Sequence, residues 1–185
     1  MQLKMQTSLT LILGSVVSLI GWMFIYPDSG SMDATAAEEA AELMADPGLS
    51  KVGMLMGFGG MGAVFVGFLN ISRKIASGDG AGAPYANISA LLAVALFVLG
   101  TLVIGIEWGV AEAGSAATGT ALMQISLATE STFTLSCGLL MLLLGIGIIL
   151  DKNFHIVIGG LSVLSGALFL IGNINEELAI GGFIA

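Results

Sequence analysis

Five stretches of this chain are apolar for long enough to cross a bilayer: Ser8–Tyr26, Val52–Ile71, Ile88–Val110, Phe133–Leu150 and Phe154–Gly172. A helix needs about 20 such residues to cover roughly 30 Å of hydrocarbon. In lipid every backbone N–H and C=O must be paired inside the protein, and none of these stretches alternates polar with apolar as a barrel strand does. Helices are the structure they specify. Charged residues make up 10% of the chain, against about 25% in an ordinary soluble domain. The sequence therefore predicts an all-α, polytopic bundle of the cell membrane, one unit over residues 1–185 with about five transmembrane helices. The first stretch is too long for a signal-peptide core and lacks a small-x-small cleavage site, so it reads as a retained helix.

Two polar interruptions punctuate the spans. Residues 33–46 are rich in Ala and Glu. Thr35 and Glu38 have capping-box spacing, and Pro47-Gly48 is a helix stop. Ala36, Ala40, Leu43 and Met44 share one face of the helix this predicts, with Glu38, Glu39 and Glu42 on another. It reads as a short surface helix. Residues 111–132 are semi-polar and fit either a second surface helix or an outward extension of the fourth span. Ser77–Pro84 is a loop by its Gly, Ser and Pro content.

Charge sets the orientation. Lys4 precedes the first span, Arg73 and Lys74 follow the second, and Lys152 lies between the fourth and fifth. With five alternating helices these positions fall on one side, which the retention of Lys and Arg makes cytoplasmic. The N-terminus is then inside and the C-terminus outside, with both surface segments on the outer side. That outer side holds 11 of the 13 acids and one base, Lys51. Acids do not set topology, so this is a second asymmetry: an external face that gathers cations and repels anions. The net charge of -8 is opposite to what nucleic-acid binding requires.

The final hairpin, GLLMLLLGIGIILDKNFHIVIGGLSVLSGALFLIG, and the outer ADPGLSKVGML segment carry a resemblance. Together they resemble a family of small prokaryotic multi-pass membrane proteins defined as a domain of unknown function. The matching positions are Gly138, Gly145, Lys152, Ile158, Gly159 and Leu161. That family shows six helices and Pro in the final turn, where this chain has Asn153-Phe154-His155. The resemblance implies a membrane bundle and no reaction.

Depth arithmetic gives the candidate site. At about 1.5 Å per residue, Glu107 lies roughly 29 Å from Ile88, Glu130 roughly 30 Å from Leu150 and Glu176 roughly 33 Å from Phe154. The three carboxylates reach the outer hydrocarbon boundary in one layer, joined by Asn173. Such a layer suits a cation held by oxygen ligands, or a proton. Against this stands the simpler reading that they mark where helices leave the lipid, beside the belt aromatic Trp108. Gly53 and Gly57, Gly100 and Gly105, and Gly159 and Gly166 are small residues of the kind that let helices approach in lipid, as bundle packing or as a docking face for a partner helix. Met54, Met56 and Met61 invite a copper reading, but Met54 and Met56 point about 200° apart on a helix and have no His or Cys near them in sequence. Whether any metal binds is left open. His155 reads as an interfacial polar residue and Cys137 as a small buried hydrophobe. There is no Ser-His-Asp set, phosphate loop or paired-Cys motif. No catalytic residue and no cofactor is expected.

Three functions fit. The spans carry almost no ionisable residue away from their ends, whereas transport paths usually do. This favours a non-enzymatic accessory, structural or scaffold subunit, with the lipid bilayer and a membrane-protein partner or a second copy as its partners. The rival is a small transporter or channel for a cation or an apolar solute, entered through the carboxylate layer. A lipid- or quinone-handling enzyme with an interhelical cleft is the third.

Overall fold

The computed structural model describes residues 3–28, 30, 34–151 and 155–173. It is all-helical: α1 (Leu3–Ile20) running into a π-helical turn (Gly21–Ile25), α2 (Ala36–Ala45), α3 (Pro47–Ala76), α4 (Ala83–Ala111), α5 (Ala116–Asp151) and α6 (Ile156–Gly172). Among the described residues no strand occurs. Four helical stretches among the described residues are long and apolar enough to cross a membrane: Met5–Ile25, Pro47–Ala76, Ala83–Ala111 and Ala116–Asp151. The fifth expected span appears as the apolar α6, of 17 residues. Its expected start at Phe154 lies outside the described residues.

Local chemistry explains the helix ends. Thr35 caps α2 through a full capping box: its hydroxyl accepts from the Glu38 N–H, and the Glu38 carboxylate accepts from the Thr35 N–H (2.7 Å). Pro47 ends α2 and also opens α3, because the first turn of a helix has no use for the N–H that proline lacks. The Asp46 carboxylate accepts from the Leu49 N–H (3.0 Å) and completes that start. The second span thus begins five residues before the expected Val52. Ser115 does the same for α5, its Oγ accepting from the Thr118 N–H (3.2 Å). Residues 111–132 therefore do not form a separate surface helix: after a short turn they are the first part of a continuous 36-residue α5. At the other end of the chain, His155 Nδ1 accepts from the Val157 N–H (3.4 Å) and caps α6.

Packing divides the chain into two compact units. The first comprises Met1–Ser8, Phe65–Phe97 and Ser131–Ala185; the second comprises Leu9–Val64 and Val98–Glu130. In the first unit α5 and α6 meet through glycine. A Cβ added to Gly166 would stand 2.7 Å from the Gly138 carbonyl oxygen, and one on Gly145 equally close to that of Gly159. Ser162 Oγ donates to the Met141 carbonyl (2.7 Å) across the same pair of helices. Phe65 and Phe133 pack edge to face at 5.9 Å.

In the second unit α1 and its π-turn lie on the first half of α3. Gly14 faces the Gly60 carbonyl, Gly57 lies under the Trp22 indole, and Gly53 lies under the Tyr26 backbone. Gly100 of α4 receives the Phe58 ring. Gly105, expected to pack with Gly100, is exposed with nothing within 4 Å of its Cβ position. Five residues at 100° each turn it about 140° away from Gly100. The core of this unit joins Ala40 and Leu43 of α2, Met54 of α3, Val110 and Ala111 of α4 and Met123 of α5. Met54 fills that core among apolar side chains. The charge is divided as well: among its described residues the second unit holds Asp28, Glu38, Glu39, Glu42, Asp46, Glu107, Glu112 and Glu130 against the base Lys51.

Candidate functional site

Glu107 occupies the penultimate turn of α4 and is 8% exposed. A carboxylate so deeply placed must be hydrogen-bonded to persist, and each of its oxygens has a donor. The Tyr26 hydroxyl donates to Oε2 at 3.1 Å. The Ser126 hydroxyl donates to Oε1 at 2.9 Å. Three elements converge here: the residue that closes the π-turn, the end of α4 and the fourth turn of α5.

The local fold brings each side chain in. Tyr26 is reached through the π-turn, where its N–H donates to the Gly21 carbonyl (2.8 Å), a bond one residue wider than in an α-helix. Its ring meets Trp22 edge-on at 4.6 Å, and its backbone presses on Gly53. Ser126 sits with Met123 on the buried face of α5 at i, i+3 spacing. Beside the site, Lys51 pairs with Glu112 and stands 5.0 Å above the Trp108 ring. Lys51 holds the Glu112 carboxyl below the usual carboxylate range, first by hydrogen bonding and then by its charge.

Of the expected carboxylate layer, the structure places Glu107 and Glu130 in one compact unit, with the charges of Glu130 and Glu39 within electrostatic reach of Glu107. Asn173 belongs to the other unit. It ends α6, and its side-chain amide donates to the Phe169 carbonyl (2.9 Å). Glu176 lies outside the described residues. Among the described residues no three His, Cys, Asp or Glu side chains are grouped to hold a metal ion. Tyr26 and Ser126 were not among the expected site residues. Tyr26 reads in sequence as the end of a span before Pro27, and Ser126 as one polar residue in a semi-polar stretch.

Chemically, the arrangement is a carboxylate with both oxygens engaged by protein hydroxyls. It can take up and release a proton, and each oxygen keeps a further lone pair beyond the one its hydroxyl partner uses. The fold and this site define an all-helical protein with membrane-length helices and one buried, hydroxyl-bound carboxylate. No protein-family model, curated protein or solved structure matches the chain.

Proposed function

We propose that the protein is a non-enzymatic multi-pass component of the cell membrane that serves as an accessory or scaffold subunit for a partner helix. In this reading α1, α3, α4, α5 and α6 cross the bilayer in turn, the N-terminus is cytoplasmic, and the C-terminus is outside. Arg73 and Lys74 in the last turn of α3 support that orientation.

One observation carries the docking role. Val98, Leu102 and Gly105 lie at i, i+4 and i+7 on α4, all exposed, with Val98 63% and Leu102 56% accessible. The open space over Gly105 is the notch that lets a second helix approach closely in lipid, where association runs on van der Waals packing. Most of the other glycines expected to pack are spent inside the bundle, and this one is not.

Purification from native membranes tests the reading: a stoichiometric partner, or a second copy, should be retained by the parent and lost in Gly105→Leu. A parent that is monomeric and alone in native nanodiscs overturns it. In a Cys137→Ser background, Ser77→Cys should be labelled from the cytoplasmic side and Ala113→Cys from the outside; the reverse pattern overturns the orientation. The burial of Glu107 favours a second reading, a path for protons or cations. It requires proteoliposome flux that Glu107→Gln abolishes.

A further inference from the structure

The π-turn is the least ordinary piece of backbone in the protein, and it ends on the residue that reaches Glu107. π-Helical turns are rare because they widen the hydrogen-bonded ring, and they persist where tertiary contacts hold them. Three contacts hold this one. The Trp22 indole lies on Gly57, the Tyr26 backbone lies on Gly53, and the Tyr26 hydroxyl bonds to Glu107. The first two are apolar seatings that any pH leaves alone. The third depends on whether the carboxyl can accept.

An ionised Glu107 accepts from Tyr26 on one oxygen and from Ser126 on the other. A protonated carboxyl carries a donor on one of those oxygens and loses the charge that strengthened both bonds, so the hydroxyl bond at the protonated oxygen weakens or reverses. The competing backbone state is close at hand. If the Tyr26 N–H turned from the Gly21 carbonyl to that of Trp22, the turn would become α-helical, and everything beyond it would rotate by about one residue's 100°. That rotation takes the Tyr26 hydroxyl away from Glu107.

We infer that the π-turn Gly21–Ile25 is a latch set by the protonation state of Glu107: closed while the carboxylate accepts from Tyr26 and Ser126, released to α-helical hydrogen bonding when it gains a proton. The groups that tune the latch come from each element around it. Tyr26 itself follows the π-turn, and the charges of Glu39 on α2 and Glu130 on α5 lie within electrostatic reach of Tyr26 and Glu107. On the α3 side the nearby charge is Lys51, already committed to Glu112 and to the Trp108 ring. Protonation is the releasing event, so the latch opens as pH falls.

Trp22 reports on it directly. Its indole N–H is buried with no hydrogen-bond partner among the described residues, so the ring is held by packing, against Tyr26 and Gly57 among others. The chain has two Trp, and Trp108→Phe leaves Trp22 as the single fluorophore. In nanodiscs, the Trp22 emission of this parent should change in one step between neutral and acid pH. Glu107→Gln, which keeps one donor and one acceptor, should show the acid-form emission throughout. Tyr26→Phe, which removes the link but leaves the carboxylate, should be flat as well and stands in if Glu107→Gln fails to fold. Glu130→Gln should move the midpoint and keep the step. A parent whose emission does not change with pH, or a step that persists in Glu107→Gln or Tyr26→Phe, overturns the latch.

Discussion

The Trp22 indole lies against the bare backbone of Gly57, so close that a Cβ there would stand 2.5 Å from the ring carbon Cε2. Gly59, two residues on, has nothing within 4 Å of the same position. The two glycines make an internal comparison. Gly57→Ala should lower the melting temperature in detergent, since overpacking costs roughly 1–3 kcal/mol. Gly59→Ala should leave it unchanged or raise it, because Gly inside a helix costs roughly 0.5–1 kcal/mol relative to Ala. Equal losses at both positions would refute the packing argument.

Ser126→Ala strips one donor from the buried Glu107 carboxylate. An unsatisfied buried acceptor costs about 1–3 kcal/mol, so thermal melting in nanodiscs at neutral pH should fall accordingly. Ser15 is the control: it is exposed and its hydroxyl bonds to its own helix at the Leu11 carbonyl. Ser15→Ala should melt with the parent.

The α2 cap should titrate. The Thr35 backbone N–H and then its hydroxyl hold the Glu38 carboxyl below the usual carboxylate range. A depressed folded value means that the stabilisation is present above the ordinary Glu range and is lost as pH falls through the folded value. Amide exchange in α2 should therefore speed up at acid pH in the parent, and Glu38→Gln should show the faster rate at every pH once intrinsic exchange is subtracted. Thr35→Ala should cost about 1 kcal/mol of local stability. A pH effect surviving in Glu38→Gln would remove the cap from the explanation.

In the other unit, Ser162 bridges α6 to the Met141 carbonyl of α5. Interhelical hydrogen bonds inside membranes average about 0.6 kcal/mol. Ser162→Ala should be correspondingly mild, because the glycine crossings at Gly138 and Gly145 remain. A loss as large as that of Ser126→Ala would mean that the polar bridge, rather than the crossings, holds α5 to α6.

Hydropathy locates the helices because a membrane-length apolar stretch without strand alternation must pair its backbone within itself, and the Thr35–Glu38 spacing places α2 to within a few residues. The starts of α3 and α5 were harder to read. Pro47 is a stop signal and a first-turn residue at once, and only the Asp46 side chain decides that it opens a helix. Ser115 likewise gives a semi-polar stretch a cap, so Ala116–Leu127 continues into the apolar span. Counting residues from the far ends of the spans sets Glu107 and Glu130 in one expected layer, since helical rise is a local property, and the two fall in one compact unit. It could not pair Glu107 with Tyr26, 81 positions away. That contact depends on the π-turn, which no residue pattern in GWMFI announces. The same count sets Asn173 beside the carboxylates; in the structure its amide donates to the Phe169 carbonyl in the last turn of α6.

The length of α5 bears on how α2 is supported. Thirty-six residues make a rod of about 54 Å, far longer than the roughly 30 Å a hydrocarbon layer can hide. Its first turns carry Gly119 beneath Met44, and Met123 in contact with the cluster that buries Leu43 and Ala40. The chain thereby builds its own floor for α2 out of protein. A surface helix resting on headgroups would shift with every change of lipid charge or curvature. Because Ala40 and Leu43 are covered by protein side chains, α2 should keep its amide protection when the bilayer is exchanged for a micelle.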